Sequence, residues 1–409
     1  MADWLPAWTA AALLATLVLQ AGLCAAFVRV VRRRLGAATS TSAQAGPFPA
    51  AEVVLCLRGV DPALDEALCA LAAQRYPGVW RLLVIVDSRQ DPALGVVSSA
   101  IRRLERQDCC TWQDARLSFL ACSPRTGSRK SAALRQAFAQ LDPATELVAL
   151  VDADAVVGPD WLRALAEACL QPGVGAAGGN RWYLPALHSG TGVIRSIWNC
   201  GALVLMTLLT IPWGGSLAIR RQLIETTGWR NELRTSLCED TALTRPLQRA
   251  GWRFHFSPNL IAVDRDDSIS MRPLIRWIAR QLLMARLHHP AWSLVLLHGL
   301  GTALLLLVAV LVAVILILQG RADTTMPLLA ALLAYELGCG LLLIWIQAVV
   351  AESIHLPERL SLHQWLRWLP LAQVVYGLAV VRAQLARRVE WSGVSYSLRG
   401  RSVVAVRET

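Results

Sequence analysis

Asp152 and Asp154 end an apolar run, "LVALVDADAVV", and a Gly-Pro-Asp break follows them. Alternate side chains of an extended chain point the same way, so both carboxylates can share one side of a strand end. They would repel each other, and no Lys or Arg stands close to them in sequence. A hard divalent cation, Mg²⁺ or Mn²⁺, suits such oxygen ligands and usually completes its shell with substrate phosphates. Three readings compete. The pair could be a turn or helix-cap signal. It could belong to an aspartyl-phosphate phosphatase, since Asp152, Asp154 and Val156 also fit D-x-D-x-V, with Asp152 as nucleophile. That chemistry places its motif on the first strand, and here several strands come earlier. The third reading is a cation site for a nucleotide diphosphate.

Other residues add to the third reading. "SRKSAALRQAF" puts Arg129 and Lys130 at the start of a helix, and a helix N-terminus with a Lys favours phosphate. "PWGGSLAIRR" sets Gly214 and Gly215 before a strand, where a ligand can approach backbone. "LCEDTALTRPLQRAGWRF" opens a helix with Glu239 and Asp240. Neither has a basic neighbour in sequence, so both are candidates for proton abstraction. "SMRPLIRWIARQ" carries Arg276 and Trp277 on a basic amphipathic helix.

The elements that must position these groups are strands alternating with helices. "EVVLCL", "WRLLVIVDS", "RLSFLAC" and "ELVALVD" read as strands. "DPALDEALCALAAQ", residues 100–106 and "SRKSAALRQAFAQL" read as helices. Nearly continuous apolar strands predict an α/β domain with a mostly parallel sheet covered on both faces. Ligands of such sheets bind beyond the carboxyl ends of the strands, where Asp87, Asp152 and the Arg58–Asp61 loop fall.

The chain is 55% hydrophobic and only 17% charged, with a net charge of +11. Its basic residues form no tract with interleaved aromatics, so nucleic acid is not an expected partner. A lipid surface and phosphorylated substrates explain the charge better. Ten scattered cysteines, with no CxxC, read as free thiols in a reducing compartment.

Residues 7–28 lack charge and are long enough to span a bilayer; Arg29, Arg32, Arg33 and Arg34 follow. The basic cluster comes after the apolar stretch, so an uncleaved anchor is expected, with the following residues in the cytoplasm. Residues 36–50 read as a linker and 51–290 as the cytoplasmic catalytic domain. Residues 291–351 read as a transmembrane hairpin containing Glu336. Glu336 is either a lipid-site residue or a protonated acid facing neighbouring helices. Two shorter apolar stretches, 197–213 and 368–381, read as interfacial or re-entrant, and 352–409 ends in a basic tail. The expected count is three full spans in a multi-pass membrane protein. No oligomeric state follows from the sequence.

Taken in order, "LRGVDPALDEAL", "YPGVWRLLVIVDSRQDPA", the aspartates at 152 and 154, "GGSLAIRR", "CEDTALTRPLQRAGWRF", "LIRW" and "RVEWSGVSYSLR" resemble family 2 glycosyltransferases of the GT-A fold. The resemblance covers about residues 50–400 and is closest to the ceramide glucosyltransferase-like group. It implies a Rossmann-like nucleotide-diphospho-sugar transferase domain with one N-terminal and two to three C-terminal transmembrane or re-entrant helices. It also implies roles. Asp152 would contact the nucleotide ribose and the metal, Asp154 would ligate the metal on the diphosphate, Asp87 or Asp91 would contact the donor, and Asp240 would be the general base beside Glu239. Arg276 and Trp277 would close over the diphosphate and sugar. Pro273 stands where the family's (Q/R)xxRW motif has Gln or Arg, and Val394 and Ser395 replace basic residues in the tail. The implied reaction is an inverting transfer of a hexose, glucose from UDP-glucose by default, to a membrane lipid hydroxyl such as ceramide, diacylglycerol or a hopanoid. A processive polysaccharide synthase would share the acidic and RW elements but would need more spans. A catalytically inactive membrane-bound binding protein is the alternative of another class.

Overall fold

The computed structural model describes residues 4–40, 47–107, 109–185, 189–265 and 269–408. Nine strands form the first part of the chain: β1 Ala51–Leu57, β2 Trp80–Val86, β3 Asp114–Phe119, β4 Leu147–Val151, β5 Val174–Gly178, β6 Arg181–Tyr183, β7 Ser216–Arg220, β8 Arg253–Phe256 and β9 Ala262–Asp264. Seven build one sheet in the order β3-β2-β1-β4-β7-β5-β8. β7 runs antiparallel to both of its neighbours, and every other pair is parallel. β6 and β9 pair separately and in parallel.

The apolar strands are buried on both faces because successive side chains go to opposite sides. Val54, Leu83, Val148 and Leu150 pack against the helix Arg129–Ala137 and against Phe27 and Val31 of the N-terminal helix. Val53, Leu55, Leu82, Val84 and Ala149 pack on the other side against the helices Leu64–Ala72, Ala93–Arg106 and Trp161–Leu170. The expected 100–106 helix therefore begins earlier, at Ala93, where Asp91 Oδ1 accepts the Ala93 N–H at 2.9 Å.

Among the described residues five helices are long and apolar enough to cross a membrane: Leu5–Gly36, Gly190–Leu208, Trp292–Leu318, Ala322–Ser353 and Leu362–Leu385. Val18, Leu297 and Leu318 stand exposed on them, as lipid-facing residues would. This is two more than the sequence count of three. Residues 197–208 of the 197–213 stretch lie in the helix Gly190–Leu208, where Ser189 Oγ accepts the Gly192 N–H at 3.0 Å. That helix runs through Arg195, whose charge limits the uncharged run but whose guanidinium stacks on Tyr183 at 4.3 Å. It is mostly buried within the protein. The 368–381 stretch lies in the 24-residue helix Leu362–Leu385, opened by a capping box between Ser361 and Gln364. Residues 36–40, expected to begin a linker, continue the N-terminal helix; 41–46 lie outside the described residues.

The basic tail has regular structure. It forms an antiparallel three-stranded sheet of β10 Arg388–Trp391, β11 Val394–Arg399 and β12 Ser402–Glu408. Ser392 and Gly393 turn with positive φ between the first two strands.

Candidate active site

The turn after β4 places Asp152 and Asp154, with the Ala155 N–H bonded to the Asp152 carbonyl at 3.1 Å. Their side chains are 28% and 40% exposed, so a ligand can reach them. Both have basic partners, contrary to the sequence expectation that a cation must arrive with the ligand. Lys130 Nζ lies 2.6 Å from Asp152 Oδ1. Arg181 grips Asp154 with both NH groups, at 2.8 and 3.0 Å. These partners are remote in sequence and are delivered by the fold: Lys130 by the helix capped at Ser128, Arg181 by β6.

Glu239 also has a partner, again contrary to the sequence expectation. Its Oε1 is 2.6 Å from Lys130 Nζ, a close charge contact without directed hydrogen-bond geometry, and its side chain is only 2% exposed. Burial works against the Lys130 charge, but Asp152 and Glu239 outweigh it and hold the ammonium well above the usual lysine range. Burial likewise pushes Asp152 up, while Lys130 and Arg181 pull it down further, leaving it below the ordinary aspartate value. For Glu239 burial dominates over Lys130, helped by repulsion from Asp240 and Asp152, and its carboxyl is pushed up to about 7.

Asp240 is the first residue of the helix Asp240–Arg249, where a carboxylate also suits the helix dipole. It is half-buried and held on both oxygens. Gly214 N–H donates to Oδ2 at 2.9 Å, and Thr241 donates to Oδ1 from its backbone at 2.5 Å and its hydroxyl at 3.1 Å. Gly214 has no room for a side chain, because a Cβ would lie 2.2 Å from Glu239 Oε1. A Cβ on Gly215 would meet the Trp213 ring at 2.1 Å. Trp213 in turn lies under the Arg181 guanidinium at 4.7 Å.

Lys130, Asp152, Asp154, Arg181, Trp213, Glu239 and Asp240 line a cavity of about 650 Å³; Gly214 and Gly215 do not line it but shape its wall behind Asp240 and Trp213. Asp87 lines it too and is fixed by Arg58 and by Arg129, whose NH1 stands 2.9 Å from both Asp87 oxygens. Asp91 does not line it; its carboxylate accepts the Gly59 and Ala93 N–H groups and shapes the loop. Trp277 lines the cavity and meets Tyr183 and Trp198 edge-on, both at 5.3 Å. Arg276 is exposed and is not brought to the cavity; Arg280, one turn later, is, and it lies over Trp391 of the tail sheet at 5.4 Å. Sequence reasoning passed over Arg181 and Arg280, which also line the cavity, as do Trp391 and Tyr396 of the tail motif. A signal for Arg181 existed. Gly178 and Gly179 precede it, and Cβ atoms there would strike Ser216 O at 2.4 Å and Leu260 O at 1.8 Å, so the glycines mark a crowded crossing.

The cavity continues past the helix Gly190–Leu208 to Val295, Tyr335, Ile346 and Tyr376 of the apolar helices. Among the described residues no group of three or more His, Cys, Asp or Glu could hold a metal by itself. The pair Asp152 and Asp154 offers hard oxygens suited to a divalent cation that takes its other ligands from a diphosphate.

Solved structures similar to this chain include a mannosyltransferase from Pyrobaculum calidifontis in complex with GDP-Man and Mn²⁺. It is 17% identical, the match covers 92% of this chain and 99% of that one, and the TM-score is 0.48. Glucosyl-3-phosphoglycerate synthase from Mycobacterium tuberculosis, with Mn²⁺, UDP and phosphoglyceric acid, is 16% identical over 59% of this chain and 79% of that one, with a TM-score of 0.38. Among curated proteins, N-acetylglucosaminyltransferases from Rhizobium leguminosarum bv. viciae and Sinorhizobium fredii are each 30% identical, over 33% and 35% of this chain. These matches span only 29% and 32% of the relatives' own lengths. Residues 14–404 match glycosyl transferase family 21. The expected family number was 2; the matched family is of the same GT-A type and includes ceramide glucosyltransferases. The chain belongs to glycosyl transferase family 21.

Proposed function

We propose that the chain transfers a hexose, glucose from UDP-glucose in the simplest case, to the hydroxyl of a membrane lipid of the ceramide, diacylglycerol or hopanoid type, with inversion. One observation carries this reading. A single cavity has Asp152, Asp154, Glu239 and Asp240 at one end and Val295, Tyr335 and Ile346 of membrane-length apolar helices at the other. A lipid standing among those helices can present its hydroxyl to the carboxylates without leaving the bilayer. Arg29, Arg32, Arg33 and Arg34, in the second half of the N-terminal helix, favour a cytoplasmic position for the sheet domain.

Asp240 Oδ2 is the proposed base. It takes the proton of the acceptor hydroxyl as that oxygen bonds to the anomeric carbon, and the bond from that carbon to the diphosphate oxygen breaks on the opposite face. Lys130, held charged at the head of its helix, faces the developing negative charge of the leaving group. A bound Mg²⁺ or Mn²⁺, held by Asp152 and Asp154, would supply further charge to that diphosphate. Asp87 faces the same cavity from the end of β2 and is the better placed of the two acids considered for donor contact. Trp277 and Arg280 form the wall nearest the tail sheet, with Arg280 in the place expected of Arg276.

The test is nucleoside diphosphate release by the purified chain in bilayers. UDP-glucose turnover is expected to rise when a hydroxyl-bearing lipid is added; turnover indifferent to every such lipid contradicts the reading. Five candidate spans rather than three also suit a processive synthase, and a polymer product would favour that alternative.

A further inference from the structure

Arg181 sits among three carboxylates. It holds both oxygens of Asp154, its NH1 lies 3.3 Å from Asp264 Oδ2, and its NH2 lies 4.0 Å from Asp152 Oδ2. Its side chain is 14% exposed and stacks on Trp213. β6 is pinned beneath it, since Asn199 donates to the Arg181 carbonyl at 3.0 Å. A cation approaching the aspartate pair therefore meets a guanidinium that already uses the whole of Asp154. Forked guanidinium–carboxylate pairs are among the stronger charge-assisted contacts, so the competition is not negligible. Asp264, paired in register with Tyr183, offers the same guanidinium a second acceptor: its Oδ2 already faces the NH1 that Asp154 uses, and its Oδ1 lies 4.0 Å from Arg195.

We propose that Arg181 is a resident counter-ion of the aspartate pair, which competes with a divalent cation for Asp154 and is taken up by Asp264 when that cation binds. The proposal rests on the reading of Asp152 and Asp154 as cation ligands. It assigns Arg181 and Asp264 opposite effects on cation affinity. Removing the competitor frees Asp154, and removing the receiving carboxylate keeps the competitor in place.

Mn²⁺ binding to the purified full chain, followed by loss of the free-ion signal in electron paramagnetic resonance with and without UDP, tests this without reference to turnover. Arg181→Gln is expected to tighten Mn²⁺ binding about tenfold, a change of about 1.4 kcal/mol. Asp264→Asn is expected to weaken it severalfold. Asp154→Asn serves as the reference and should abolish binding. If Asp154→Asn binds Mn²⁺ normally, the cation site itself is misassigned. If Asp154→Asn abolishes binding while Arg181→Gln leaves the affinity unchanged or lower, the counter-ion role is overturned. Should Arg181→Gln not fold, Asp264→Asn decides alone, and unchanged or tighter binding there overturns the proposal.

Discussion

Alanine at position 214 should disable transfer while leaving the fold standing. The added methyl would lie 2.2 Å from Glu239 Oε1 and 3.3 Å from Asp240 Oδ2, and real Cβ contacts essentially never fall below 3.0 Å. Glu239 cannot yield cheaply, because it is buried and in charge contact with Lys130. The backbone at Gly214 must move instead, and its N–H is the donor that orients Asp240 Oδ2. The required displacement is roughly 1 Å, a scale at which misplaced catalytic groups lose about 10²-fold in rate. Overpacking of this kind costs about 1–3 kcal/mol of stability, which a folded domain of this size can bear. Steady-state turnover of purified Gly214→Ala, beside Gly95→Ala as control, measures the effect. A Cβ on Gly95 would meet nothing within 4 Å, and the residue lies on an exposed part of the helix Ala93–Arg106. The expected result is turnover about 10²-fold down for Gly214→Ala and near wild type for Gly95→Ala. Near-normal turnover in a folded Gly214→Ala would refute the claim that Gly214 positions Asp240.

Asp240→Asn keeps the shape but removes the proton acceptor, so turnover should fall by about 10²–10⁴-fold while donor binding, measured by calorimetry with UDP, stays close to wild type. Lys130→Met leaves Asp152 and Glu239 without their shared cation and should destabilise the chain by about 3–5 kcal/mol, read as a drop in the thermal midpoint. Adding Glu239→Gln to it should recover part of that loss. The Glu239 carboxyl, pushed up by burial from its ordinary 4.5 to about 7, gives a signed pH dependence. The folded state binds this proton more tightly than the unfolded state, so the group's contribution to stability is complete below 4.5 and is lost as pH rises through about 7. Glu239→Gln should flatten that part of the stability–pH curve, and an unchanged curve would contradict the assignment.

Much of the sheet domain was legible because β1, β2 and β4 are short, nearly continuous apolar runs rich in β-branched residues, which suit strands covered on both faces. The acids were legible for the complementary reason: Asp152, Asp154, Glu239 and Asp240 interrupt such patterns at element ends. Their partners were not. Lys130 meets Glu239 across more than a hundred residues, and Arg181 reaches Asp154 only because β6 crosses beside the β4 turn, a tertiary fact without a local signature. The reach of the helix Gly190–Leu208 was not legible at Arg195, where a charge absorbed by Tyr183 inside the protein looked like the end of an apolar helix. The tail sheet was within reach. Val394, Tyr396 and Leu398 alternate with Ser395, Ser397 and Arg399, and Gly393 and Gly400 punctuate the turns, but its arginines drew attention to charge instead of period.

The most direct test of the central claim incubates membranes containing the chain with radiolabelled UDP-glucose and Mg²⁺ or Mn²⁺, then partitions the products between organic and aqueous phases. Label is expected in the organic phase as a glycolipid, and Asp240→Asn should abolish it. Label confined to a water-soluble or insoluble polymer would contradict lipid glycosylation.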